Sequence, residues 1–325
     1  MKINNPFKGK SAKESWHLIT KEYSHWLSFI IILLIATIVS PTFLRWSNIQ
    51  NLFKQVAVIG ICSMGVSLII SAGMIDLSTG SAVALISGLA IVVLNNTQSL
   101  LIGTLFCLAL GVVLGLVNGV LVTKGKIAPF IVTLATMSAW RSIINQLGQG
   151  GPFTISNEMY NPLRMIASGT TLGLPNLMIF FVVITIITGI MMTKTKFGTY
   201  VYAIGSNTQA ARLSGINVDK VKIMIYAYAG LMYGLAALLL ASRLTSIQAA
   251  SAGQSYEMNA IAAVAIGGTK MDGGKGKIIG TFLGALILQI INTVLIMANV
   301  PPFLNGLVQG IIIIVAVLIQ TTRKN

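Results

Sequence analysis

Between Lys54 and Lys124 the chain carries a single charged residue, Asp76. A stretch of about 70 residues with one charge is not the surface of a soluble domain, where roughly a quarter of residues are charged. The rest of the chain follows suit, with 9% of its 325 residues charged and 55% hydrophobic. Apolar runs long enough to cross about 30 Å of hydrocarbon recur from residue 25 onward. The fold class is therefore all-α: a polytopic membrane protein whose helices satisfy their own backbone groups in lipid.

Ten candidate spans are expected, at 25–43, 55–75, 77–95, 100–122, 128–145, 176–193, 221–241, 257–268, 278–298 and 303–320. Threaded alternately from a cytoplasmic N-terminus, they leave 17 of the 22 Lys and Arg residues inside and 5 outside (Arg45, Lys54, Arg141, Arg164 and Arg243). That bias is the orientation signal of a cytoplasmic membrane protein with both termini inside. It also accounts for the net charge of +15 without nucleic acid, whose binders gather bases on a water-facing surface. The polar segment 1–24 has no small-residue cleavage site and is expected to remain as a cytoplasmic extension of the single transmembrane domain 25–325. Cys62 and Cys107 lie in apolar spans and read as buried small hydrophobes.

Two parts of the chain resemble each other. "SAGMIDLSTGSAVALISG" (71–88) aligns with "SAGQSYEMNAIAAVAIGG" (251–268), and "LIGTLFCLALGVVLGLVNGVLV" (101–122) aligns with "IIGTFLGALILQIINTVLI" (278–296) with small gaps. In the threading the two copies of "IGT" open spans entered from opposite sides. The expected architecture is two inverted five-helix repeats, about 25–145 and 176–320, with a pathway at their interface near the midplane.

Enzyme chemistry finds few materials. The only histidines, His17 and His25, lie before the first span or at its first residue, so no metal cluster or nucleophile–base pair can form around them in the membrane. No phosphate-binding G-x-x-x-x-G-K-[ST] loop occurs, so any ATP must be bound by another chain. No cofactor and no metal site is expected. Asp76 and Glu257 fall at nearly equivalent points of the two repeats, each before a small-residue span. Each suits a helix N-cap, or a break in the chain that lines a polar path. Ser78, Gly80, Asn118 and Asn292 complete the candidates for that break and path. The longest inside loop, 194–222, contains "AIGSNTQAARLSGINV", which reads as a short amphipathic helix broken by Gly215 and suited to docking.

"GMIDLSTGS", "AIGSNTQAARLSGINV" and "AVAIGGTKMDGGKGKIIGTFLGA" resemble, in order and spacing, three signatures of the ribose-type permeases of bacterial ABC sugar importers. The resemblance covers nearly all the chain after residue 25. It implies a pore of two permease copies, identical or closely paralogous, in the inner membrane. A cytoplasmic ATPase with two fused nucleotide-binding halves would drive it, and a soluble extracytoplasmic sugar-binding protein would deliver substrate. The family's coupling segment carries over onto Gly205, Asn207, Ala210, Ala211, Arg212, Ser214, Gly215 and Ile216, and its Asp-Leu-Ser-x-Gly signature onto Asp76, Leu77, Ser78 and Gly80. "GMIDLS" has one residue more between Gly and Asp than is usual in the family. The alternatives are a permease for a nucleoside, a furanosyl signal molecule or a branched-chain amino acid, a proton-coupled secondary carrier, and an intramembrane hydrolase.

Overall fold

A computed structural model describes residues 24–301 together with 304, 306–308, 310, 311 and 314. The expected N-terminal segment, apart from Ser24, and most of the expected tenth span lie outside the described residues. The helices are α1 (Ser24–Val39), α2 (Trp46–Ser71), α3 (Thr79–Thr97), α4 (Leu100–Thr123), α5 (Pro129–Gly148), α6 (Asn157–Ser168), α7 (Asn176–Lys194), α8 (Lys196–Ser206), α9 (Thr208–Leu213), α10 (Val218–Leu244), α11 (Tyr256–Ile266) and α12 (Ile278–Met297). Four short strands join them: β1 (Pro152–Thr154), β2 (Thr170–Thr171), β3 (Leu174–Pro175) and β4 (Ser246–Gln248). β1 pairs antiparallel with β4, Pro152 opposite Gln248, and β2 with β3.

α2 and α10 form the centre. α2 is buried almost all round from Val56 to Ser71, as expected of a helix that is apolar on every face. α10 packs most extensively on α4, and also on α2 and α3. The sequence reason is a row of glycines on α4 at every fourth position. A Cβ on Gly111 would meet Gly230 and Gly234, and one on Gly115 would meet the Tyr226 carbonyl. Without Cβ atoms the two backbones come close enough for dispersion contact, which is what holds helices together once lipid has removed the hydrophobic drive. α12 seats on α11 in the same manner, Gly284 against Ala263 and Gly280 against Gly267. α4, α5 and α7 turn apolar side chains outward, among them Leu105, Phe130 and Ile186, the surface that a lipid solvent requires.

Six of the described helices are long and apolar enough to cross a membrane: α2, α3, α4, α7, α10 and α12. The eighth expected span, 257–268, coincides with α11. Gly253 (φ +67°) and Ser255 (φ +62°) take positive φ in the segment before it, and α11 itself has 11 residues. At 1.5 Å per residue that is about 16 Å, half the hydrocarbon thickness. α1, with 16 residues, is also shorter than a full span.

The loops gather at the two ends of α10. At its C-terminal end Asn95 donates to the Thr154 carbonyl and accepts the Ser156 N–H, beside the β1–β4 pair. Towards its N-terminal end, the α8–α9 segment meets the loops that end α2 and precede α12. There Gly274 N–H donates to the Ser71 carbonyl at 2.9 Å and the Tyr202 hydroxyl to the Gly276 carbonyl at 2.9 Å.

Candidate functional site

Residues 72–78 break the chain between α2 and α3. α2 stops because Gly73 adopts φ +74°, letting the Gly73 and Met74 N–H groups turn back to Ile70 and Ile69. Three residues on, Asp76 is 1% exposed, and three donors surround its carboxylate. Oδ1 accepts the Ser78 N–H at 2.7 Å and the Ser78 hydroxyl at 2.6 Å, while Oδ2 accepts the Tyr233 hydroxyl at 2.9 Å. Thr79 donates to Tyr233 at 3.0 Å and the Asn118 amide donates to Ser78 Oγ at 2.9 Å, so every proton in the chain points toward the acid. A buried carboxylate is tolerable only in such company. Tyr226, seven residues before Tyr233 on α10, donates to the Ile75 carbonyl at 3.4 Å.

The expected cap role of Asp76 is corrected by this geometry. The N-cap of α3 is Ser78, whose side chain caps nothing because its hydroxyl is given to Asp76. Asp76 lies two residues earlier and closes an Asx-type turn. Glu257 is likewise not the N-cap of its own helix: that residue is Ser255, and Glu257 sits in the first turn of α11. Its carboxylate lies against Gly80, in the first turn of α3, with Oε2 2.5 Å from where a Gly80 Cβ would be. The start of α3 thus has beside it a carboxylate from elsewhere in the chain, at the positive end of its dipole. Asp76, Ser78 and Asn118 come together in one network, and Gly80 and Glu257 in an adjoining contact. Asn292 is half-buried on α12, which packs on α1, α2, α7 and α11.

The expected docking segment folds as two helices that turn at Asn207, whose Oδ1 caps α9 by accepting the Ala210 N–H at 2.9 Å. Gly215 ends α9 at φ +82°, its N–H turning to Arg212 and that of Ile216 to Ala211. Ser214 Oγ donates to the Ala210 carbonyl. Gly205 is fixed by close approach, since a Cβ there would strike the Ser71 carbonyl and the Gly274 nitrogen. Ala210 faces out, but Ala211 is only 4% exposed and packs into its own chain. The outermost apolar side chain is Leu213, 90% exposed, which the sequence reading passed over. Arg212 and Lys124 both approach Asp219, at 3.7 and 3.6 Å. Beside them lies a cleft of about 630 Å³ lined by Thr123, Lys126, Arg212, Gly215 and Asp219 among others.

Tyr233, Thr79 and Arg141 were also missed. The only signal for Tyr233 was a phenol inside an apolar helix, which must find a partner for its hydroxyl. Nothing in the sequence indicated which partner.

A family model described as "Branched-chain amino acid transport system / permease component" matches residues 48–317. The chain is 42% identical over 306 residues to the ribose import permease protein of Bacillus subtilis, covering 94% of each chain. It is 35% identical over 302 residues to the ribose import permease protein of Escherichia coli K12, covering 92% of this chain and 93% of the relative. To the L-arabinose ABC transporter permease protein of Azospirillum brasilense it is 32% identical over 310 residues, covering 95% and 90%. No solved structure matches the chain.

Proposed function

We propose that this chain, which belongs to the permease-component family of ABC import systems, is the membrane subunit through which a ribose-like monosaccharide enters the cytoplasm. The observation that carries the reading is the similarity to a ribose import permease at 42% identity along nearly the whole of both chains. The chain hydrolyses nothing itself; a separate ATPase subunit supplies the energy, and a soluble sugar-binding protein delivers the substrate.

Two copies, or this chain and a close paralogue, would form the pore. We read the bundle as two inverted repeats with ten membrane-embedded segments, α11 being a half-length one. Reciprocal packing supports this: α3 on α10 is matched by α11 on α2, α4 on α10 by α12 on α2, and α3 on α4 by α11 on α12. The end bearing α8 and α9 is assigned to the cytoplasm, with both termini, because Lys124, Lys126, Arg212, Lys270, Lys275 and Lys277 cluster in its loops. Residues 194–222 are the ATPase-coupling segment, with Gly205, Asn207 and Gly215 shaping it and Ala210, Arg212 and Leu213 facing the partner. Asp76, Ser78, Gly80, Asn118, Glu257 and Asn292 are assigned to the helix breaks and the pathway between the halves.

The test is uptake by proteoliposomes holding the permease, its ATPase and its sugar-binding protein. Radiolabelled ribose should accumulate with ATP inside and with the proton gradient collapsed. Uptake that survives ATP depletion but stops with an uncoupler would replace the importer by a proton-coupled carrier. ATP-driven uptake of a branched-chain amino acid or nucleoside and not of a pentose would overturn the substrate class.

A further inference from the structure

The irregular segments 72–78 and 249–255 precede α3 and α11, and their surroundings meet at one point. A carbon on Gly80 would fall on the Gly253 carbonyl, and one on Gly253 would fall on the Gly80 carbonyl. The opposing atom is main chain in both directions, so no side-chain rotation could make room. Beside this crossing stands the Glu257 carboxylate, with Oε2 2.5 Å from where a Gly80 Cβ would stand. Arg141 of α5 donates to the Ala249 carbonyl at 2.8 Å, and its charge attracts Glu257. One carboxylate and one guanidinium therefore join α3, α5 and the segment entering α11.

The position of this junction matters. Ala249 follows directly on β4, so the junction lies between the β1–β4 end of the protein and the buried Asp76 network. A cleft of about 210 Å³, lined by Leu244, Gln248, Ser251, Gln254 and Tyr256, reaches in beside the segment and has Gly253 in its wall. The cleft thus meets the crossing that Glu257 and Arg141 hold.

We propose that Glu257 and Arg141 are positioning residues for transport: together they keep the start of α3 crossed against segment 249–255 and the path closed at the β1–β4 end, and their release opens it. Neither has to touch the solute. The consequence for transport rests on the importer reading above, but the closure itself does not.

Opening is read directly with a cysteine. In the full-length permease, with Cys62 and Cys107 changed to Ala, Ser81→Cys places a thiol one residue beyond Gly80 at a site that is 2% exposed. A small membrane-impermeant methanethiosulfonate is added at the β1–β4 side of reconstituted vesicles. Glu257→Ala and Arg141→Ala should each raise the labelling rate about tenfold or more, because losing the carboxylate against Gly80 or the charge-assisted bond to Ala249 shifts the closed population. Glu257→Gln keeps the side chain's shape without its charge and should fall between. The double alanine variant should label little faster than the faster single one. A reference thiol at the fully buried Ser63, within α2, should stay unreactive throughout. Rates within about twofold of the parent in every variant would overturn the proposal, as would equal gains at positions 81 and 63, the sign of general loosening. If Glu257→Ala fails to accumulate, Glu257→Gln and Arg141→Ala decide by the same criteria. The readout needs neither sugar nor ATPase, so its failure leaves the importer reading standing, and failure of sugar uptake leaves the closure standing.

Discussion

Replacing Tyr233 by Phe removes one oxygen from the middle of the bundle and leaves the ring in place. That oxygen donates to Asp76 Oδ2 at 2.9 Å and accepts from Thr79 Oγ1 at 3.0 Å. Loss of a hydrogen bond to a charged group costs about 1.5–3 kcal/mol, and loss of a neutral one in a membrane bundle about 0.6 kcal/mol. Together they come to about 2–3.5 kcal/mol, with little added for packing, since no cavity larger than an oxygen is left. Tyr226→Phe is the internal control: the same change, on the same helix, equally buried, but losing only a 3.4 Å bond to the Ile75 carbonyl. Its expected cost is about 0.6 kcal/mol or less. Both variants can be unfolded by sodium dodecyl sulfate titration in mixed micelles, followed by far-ultraviolet circular dichroism. The reasoning is refuted if the two costs differ by less than about 0.5 kcal/mol, the size of an indifferent substitution. Asp76 would then not be held as a carboxylate by Tyr233.

Three further outcomes are expected. Ala211→Glu should lower the amount of folded protein, because the site is buried, whereas Leu213→Ser should leave the amount unchanged and weaken ATPase co-purification. Equal behaviour of the two would undo the assignment of the outward face of α9. Gly205→Val should detach α8 from the Ser71 carbonyl and abolish ATP-driven uptake, while Gly215→Val, which meets open space at φ +82°, should cost only the left-handed strain of about 1–2 kcal/mol. Thermal unfolding and vesicle uptake separate the two. Single cysteines at 97, 157 and 248 should label from outside and those at 124, 205 and 272 from inside. Labelling of 157 and 205 from one side would end the topology.

The sequence read correctly wherever the controlling physics is local. Charge scarcity between Lys54 and Lys124 determines the solvent as lipid, whatever the helices later touch. Gly215 stood where a helix had to stop, and φ +82° is what its missing Cβ permits. The family signatures marked the first broken segment, before α3, and the α8–α9 turn. Hydropathy placed α11 at 257–268, but it does not record that Gly253 and Ser255, in the segment before it, take positive φ.

What only the tertiary structure decided is who partners whom. Asp76 was conspicuous in the sequence as a lone acid, yet its donors come from Ser78 nearby and from Tyr233, 157 positions away. Glu257 looked like the cap of the helix it precedes and instead lies against Gly80 at the start of α3, attracted by the charge of Arg141 from a third helix. Ala211 was read as part of the docking segment and Leu213 was passed over, yet the packing of α9 buries the first and exposes the second. A residue's type fixes what hydrogen bonds and volume it offers, but which acceptor or donor lies within 3 Å depends on how distant backbones pack. In this protein that is set by glycines on facing helices, Gly111 and Gly115 against α10 and Gly80 against Gly253, whose missing side chains have meaning only in pairs.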